Sequence, residues 1–332
     1  MDRRIVVALS ALLAGAILAP GSAADGNNPA FSLPLACKVG TDCWVQNLVD
    51  MRAGKGVRDP FCGGAAFDNH KGTDIRVRTL AELKKGISIL AMAPGKIVAL
   101  RDGMADHLVE NQSDVRRIQN KECGNGVIVR HKGNWTTQFC HMEQGSVVVK
   151  KGQRVKRGQV LGRMGLSGHT TFPHIHVTVR KGKQVIDPLT GQPQSKGCST
   201  SATLDSTLWN DAAAAQVTGP STAILAAGFS GGPVKRNQAM KNQVEPMTAA
   251  GPLIFYANAI NLKKGDRLAL KVTGPKGEVV NSEGEPVATP KATWTSYAGR
   301  RGKIATGTYR GRANLVRAGK VIAQSDEIIV EM

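Results

Sequence analysis

Aromatic residues make up only 4% of this 332-residue chain. Nowhere do they interleave with lysines in the way that proteins stacking single-stranded bases require. Acidic residues are scarce as well: 25 Asp and Glu stand against 44 Lys and Arg, giving a net charge of +19. Such an imbalance favours contact with anionic polymers or surfaces, or serves solubility alone. No C-x-x-C pair occurs among the six cysteines, which argues against a cysteine-based zinc knuckle. There is no H-E-x-x-H helix to supply a glutamate base. Long apolar runs are missing too, except at 5–20, and that run falls short of the roughly 20 residues needed to span a bilayer.

Arg3 and Arg4 precede that run, and Gly21-Ser22-Ala23-Ala24 follows it with small residues suited to cleavage. Residues 1–24 therefore read as a secretory signal peptide, with a membrane anchor as the competing reading. Its removal leaves a mature protein without a membrane span, in the periplasm or outside the cell. Export argues against nucleic acid as a partner and makes the cysteines disulfide candidates. If residues 127–131 and 135–139 form a hairpin turning at Lys132-Gly133-Asn134, Cys140 falls opposite Gly126 and near Cys123, which permits a Cys123–Cys140 bridge. Cys37 and Cys43 are spaced to close a small loop, and the remaining pairing is open.

Two or three domains fit the length. Between about 31 and 200 lie all the cysteines and histidines, with short β-branched stretches at 95–100, 127–131, 146–149, 160–164 and 174–179 broken by glycine. That spacing, with little helical periodicity, predicts an all-β domain with an antiparallel sheet and a groove over one face. Residues 104–121 are polar and read as an inserted loop or short helix. Composition changes at 201–247, which reads as a linker. A second strand pattern over 248–332 predicts a small immunoglobulin-like β-sandwich, without a disulfide because it has no cysteine.

Chemistry concentrates in two strings, His70-Lys71-Gly72-Thr73-Asp74 and Pro173-His174-Ile175-His176-Val177. In a strand, His174 and His176 share one face, so one can bind a metal while the other faces substrate. His70, Asp74 and one of that pair supply two imidazoles and a carboxylate, a donor set that fits Zn2+ better than calcium or magnesium. The spare histidine and His141 can then accept and return protons.

These strings resemble the LytM/lysostaphin-type zinc metallopeptidases, which cut the peptide stems or bridges of peptidoglycan. The resemblance covers roughly 65–190. It rests on H-x-x-x-D at His70 and Asp74, on H-x-H at His174 and His176, and on His141 after the aromatic Phe139 and Cys140. Gly124-Asn125-Gly126 and the turn glycines before Ser167-Gly168 add to it. It implies that His70, Asp74 and His176 bind zinc, that His141 and His174 are catalytic, and that peptidoglycan peptide is the substrate.

The sequence departs from that pattern at three places. Phe139 stands where tyrosine is common, Phe172 where glycine is usual, and Thr178 in place of the glutamate of an H-x-H-F-E continuation. Two other roles compete with an endopeptidase: a non-catalytic activator of cell-wall amidases, marked in that fold by lost ligands, and a secreted bacteriolytic protease using the same site.

Overall fold

The computed structural model describes residues 28–332, so the expected export signal lies outside the described residues. In chain order the first ten strands are β1 Trp44–Asn47, β2 Thr73–Arg76, β3 Ser88–Leu90, β4 Gly95–Arg101, β5 Asn125–Arg130, β6 Trp135–Met142, β7 Arg154–Val155, β8 Val160–Arg163, β9 His174–Lys181 and β10 Gln184–Ile186. Eight of them form one sheet in the order β1-β2-β9-β6-β5-β4-β7, with β10 also paired to β9; β3 and β8 form a separate pair. Every pairing is antiparallel.

Alternation decides what each face carries. Ile175, Val177 and Val179 of β9 enter the main core with Phe139 of β6 and Ile75 of β2, which leaves His174, His176 and Thr178 on the opposite face. Asp74 pairs with His176 and Cys140 does so from the other side, so both neighbours present side chains to that same face. The expected all-β sheet is therefore present, and it carries the histidines on one side.

The hairpin joining β5 and β6 turns at Lys132–Asn134, with Val127 opposite Phe139 and an irregularity between Asn125 and Val127. Cys123 and Cys140 are bonded beside that irregularity; elsewhere Cys37 is bonded to Cys43 and Cys62 to Cys198. The polar insert contains a helix, α2 (Gln112–Arg117), whose first turn is closed by Asn111 and Asp114 in a reciprocal cap. It follows α1 (Leu80–Leu83), capped by Thr79.

The linker assignment for 201–247 is corrected. That stretch holds α3 (Asp211–Ala214), β11 (Ala223–Ser230) and α4 (Arg236–Lys241). Its Ala- and Gly-rich composition hid a strand because small residues are what β11 needs where it lies flat against β12 (Leu253–Leu262): a Cβ on Gly228 would fall 2.9 Å from the Tyr256 hydroxyl. β13 (Arg267–Gly274), β14 (Gly277–Ser282), β15 (Lys291–Arg300), β16 (Thr308–Arg317), β17 (Lys320–Gln324) and β18 (Ile328–Glu331) complete the second unit. Its two antiparallel sheets, β11-β12-β15 and β14-β13-β16-β17 with β18 beside β16, share a core of Leu253, Phe255 and Ala257 against Leu268, Leu270 and Tyr309. It is a two-sheet sandwich.

The sandwich grips the outer edge of the first sheet. Ser221 donates from its backbone to the Val45 carbonyl at 2.7 Å, and Asn261 donates to the Gln46 carbonyl at 2.9 Å. Trp44 packs with Ala223, Leu225 and Ile260. A Lys241–Glu110 ion pair links α4 to the insert.

The three bridges should differ in their stabilising effect according to the loop each closes. Cys62–Cys198 spans 136 positions, Cys123–Cys140 spans 17 and Cys37–Cys43 spans 6. Pairwise replacement by alanine should destabilise in that order, with about 2–3 kcal/mol between the extremes. Denaturant unfolding of the three variants checks it, and an inverted order would show that local packing outweighs loop entropy.

Candidate metal centre

Three inward atoms meet at one point. His70 Nε2 lies 3.1 Å from Asp74 Oδ1 and 3.0 Å from His176 Nδ1, and His176 Nδ1 lies 2.9 Å from Asp74 Oδ1. The outward atoms of the same side chains are all engaged. His70 Nδ1 donates to the Leu48 carbonyl at 2.6 Å, Asn47 donates to Asp74 Oδ2 at 2.8 Å, and His176 Nε2 donates to Thr178 Oγ1 at 3.0 Å. With those protons committed outward, neutral rings turn two lone pairs and a carboxylate oxygen towards one another. Three acceptors in mutual contact repel unless a cation lies among them.

A tetrahedral zinc with bonds of about 2.0–2.2 Å sets its ligand atoms about 3.3–3.5 Å apart, close to the triangle observed. Two nitrogens and one oxygen are a donor set for zinc rather than for an all-oxygen cation. The residues present therefore fit a zinc ion with one position left for solvent. Loop and strand are pressed together to achieve this: a Cβ on Gly72 would lie 2.5 Å from the Val177 carbonyl oxygen and 2.7 Å from the His176 ring. Gly72 is required there by close approach.

His141 and His174 stand beside the triangle. His174 Nε2 is 3.7 Å from Asp74 Oδ1, and its Nδ1 donates to the Phe172 carbonyl at 2.8 Å, with Thr170 Oγ1 at 3.1 Å. His141 Nδ1 donates to the Ser167 carbonyl at 2.8 Å, and its ring is 4.6 Å from that of His174. Each ring thus keeps Nε2 for the site. His141 has φ of 62°, in the left-handed region that non-glycine residues rarely occupy. The neighbouring Cys123–Cys140 bridge and a 2.8 Å bond from its own N–H to the Cys123 carbonyl hold it there. Backbone strain of this kind persists where surroundings over-determine it.

Charge is finely divided in the cluster. Burial opposes ionisation of Asp74, yet the adjacent His70 and His174 hold its carboxyl well below the usual range. Burial pulls His70 down, and the Asp74 carboxylate outweighs it, leaving the imidazole above its ordinary value. For His174, burial dominates and pushes it to about 4, and for His141 burial and then His174 and His176 push it well down. Both are neutral at physiological pH. The site opens to solvent at His176, whose side chain is 17% exposed against 1% for Asp74.

All five site residues expected from sequence are thus brought together. His107 and His131, outside the cluster, bond instead to Asp114 and to Pro94 and Thr137.

Residues 68–188 match the profile of Peptidase family M23. The match is confined to this segment, less than half of the chain. ShyC, a peptidoglycan DD-endopeptidase of Vibrio cholerae, is 33% identical over 92 residues, covering 28% of this chain and 19% of its own. ShyA, a peptidoglycan DD-endopeptidase of the same organism, is 42% identical over 53 residues, 16% of this chain and 12% of its own. The murein hydrolase activator NlpD of Escherichia coli is 29% identical over 132 residues, 40% of this chain and 28% of its own. The chain thus matches under a third of the length of each of these relatives. The catalytic domain of lysostaphin from Staphylococcus simulans aligns with a TM-score of 0.28 at 22% identity, over 43% of this chain and 85% of that one.

Sequence reasoning missed the supports of this site. Asn47 and Leu48 belong to β1 and its end, far from His70 in sequence, and carry no motif. Thr178 had a usable signal, since it lies two residues beyond His176 on the same strand face. Thr178→Val removes the acceptor for His176 Nε2 at nearly constant volume, and Asn47→Ala removes the donor to Asp74. Each should weaken zinc binding about 10–100-fold, measured by competition with a chromogenic chelator; unchanged affinity in both would show that these contacts do not orient the ligands.

Proposed function

We propose that the chain is an exported zinc endopeptidase that hydrolyses amide bonds in the peptide part of peptidoglycan. The observation that carries this reading is the triangle of His70 Nε2, Asp74 Oδ1 and His176 Nδ1, three potential ligand atoms each within 3.1 Å of the other two. Zinc held there would polarise the scissile carbonyl and acidify a bound solvent molecule. His70, Asp74 and His176 would hold it. His141 and His174 work beside it through their free Nε2 atoms. Neutral at physiological pH, each can take a proton from solvent and, once protonated, steady negative charge on the substrate oxygen or return the proton to the leaving amine. Their Nδ1 bonds to the Ser167 and Phe172 carbonyls keep the tautomer and ring direction fixed.

Export rests on the signal-like residues 1–24 and the bridges among the six cysteines. The net charge of +19 suits an anionic wall polymer. The named activities of ShyA and ShyC favour a peptide cross-link as the bond cut. The match to NlpD favours a second reading, an activator of other wall hydrolases. The complete ligand set and the paired free imidazoles weigh against it, because an activator has no use for three lone pairs converging on one point.

The mature protein, loaded with zinc and incubated with purified sacculi, should release cleaved muropeptides and stop doing so when a chelator removes the metal. Intact sacculi, together with stimulation of an added amidase, would favour the activator reading. His141→Ala and His174→Ala should retain stoichiometric zinc yet lose about 10²–10⁴-fold in hydrolysis. Near-normal rates in both would reject the acid–base assignment. Asp74→Ala should lose metal and activity together.

A further inference from the structure

A hollow of about 360 Å³ lies beside the metal centre and is built from cations and amides. β9 has β2 along its first half and β10 along its last residues, and the hollow is lined from the gap between them. Lys71, Arg180 and Lys183 supply three positive charges, Gln184 and Gln194 supply amides, Ser195 a hydroxyl, and no carboxylate lines it. Lys71 adjoins the ligand His70. Arg180 continues the alternation His174, His176, Thr178 on the same face of β9.

Arg180 is the most informative member. Its guanidinium is half-buried and burial holds it below its ordinary value, which is an energetic cost. Among the described residues its recorded hydrogen-bond partner is the neutral amide oxygen of Gln138 at 3.0 Å, and no acid pairs with it. Lys71 and Lys183 likewise have no ion pair among the described residues, and both are exposed. Three unpaired cations drawn towards one concavity repel each other and are relieved by an anion. Gln194 fixes the wall of the hollow by donating to the Asp50 carbonyl at 2.6 Å.

We propose that this hollow is a substrate subsite that takes a carboxylate, so that the preferred peptide carries an acidic group a few residues from the bond cut. This rests on the hydrolytic reading above. Arg180 lies four residues beyond His176, roughly 13 Å along a strand at about 3.3 Å per residue. Less the reach of its side chain, that places the carboxylate two to four extended residues from the reacting carbonyl. The planar guanidinium offers paired donors to a carboxylate, and the lysines add charge.

The test uses two peptides alike in all but one group: a free side-chain carboxylate in one and its carboxamide in the other, at that distance from the scissile bond. With the zinc-loaded full chain at low salt, kcat/KM should favour the acid by about 10-fold or more. The preference should shrink as salt rises. Arg180→Gln, and separately the exposed pair Lys71→Gln with Lys183→Gln, should bring the ratio of the two substrates towards one, whereas Lys320→Gln on the far sandwich should leave it unchanged. Equal rates for acid and amide in the wild type, or an unaltered ratio in both subsite variants, would overturn the subsite. Fluorescence anisotropy of the same labelled pair reads binding without turnover. Tighter binding of the acid, lost in the subsite variants, with no cleavage of either peptide, would reject the hydrolytic reading and still uphold the anionic subsite.

Discussion

A carboxylate that is only 1% exposed sets the terms for everything around it. Asp74 sits within reach of His70, His174 and His176, and it remains ionised although burial opposes that. In such surroundings an unbalanced charge is expensive, so each oxygen must be answered. Asn47 answers Oδ2, and the inward face of the triangle answers Oδ1 only if a cation is shared there. The geometry therefore favours positive charge at one fixed point. A proton on His70 can serve, in line with the raised pKa of that imidazole, and a divalent ion serves better because all three acceptors can bind it at once.

Holding that point fixed is a task for the edge of the sheet. Asn47 ends β1, and Leu48, which accepts from His70, follows at once. β1 is one strand of four residues, paired with β2 on one side only. An exposed edge of that length would fray. Here the sandwich covers it, through Ser221 on Val45, Asn261 on Gln46 and the Trp44 cluster. The second unit thus acts on the metal site without touching it: it secures the strand whose end orients two of the three ligands.

Both histidine motifs were legible because strand periodicity is local. His174 and His176 share a face whatever the rest of the chain does, and the H-x-x-x-D spacing falls in a turn leading into β2. The hairpin that pairs Cys123 with Cys140 could be traced for the same reason, since 127–131 and 135–139 adjoin in sequence. Cys62–Cys198 could not, because no local pattern brings positions 136 apart together. Nor did β11 announce itself. Ala223–Ser230 holds only Ile224 and Phe229 of the β-branched and aromatic residues that mark strands, and its pairing with β12 along nearly the whole strand makes it one. Asn47, Thr170 and the carbonyls of Leu48, Ser167 and Phe172 escaped for a deeper reason. They are positioned by tertiary contact, and backbone carbonyls leave no trace in composition.

Phe172 has a physical role in the site it departs from. Its ring stacks on His174 at 4.3 Å and 26°, and the Arg76 guanidinium lies 4.7 Å from the Phe172 ring. Arg76 itself is buried, with its pKa pushed to about 9 by burial and by Arg236, and it is bound by Gln46 at 2.6 Å and by the carbonyls of Val77 and Arg78. A cation so held cannot move without breaking those bonds, so the phenyl ring packed on it is held as well. His174 then has its ring direction set twice, by stacking and by the Phe172 carbonyl on Nδ1. Glycine at 172 would keep the carbonyl and lose the stack. The phenyl ring and the guanidinium thus form a wall along one side of His174.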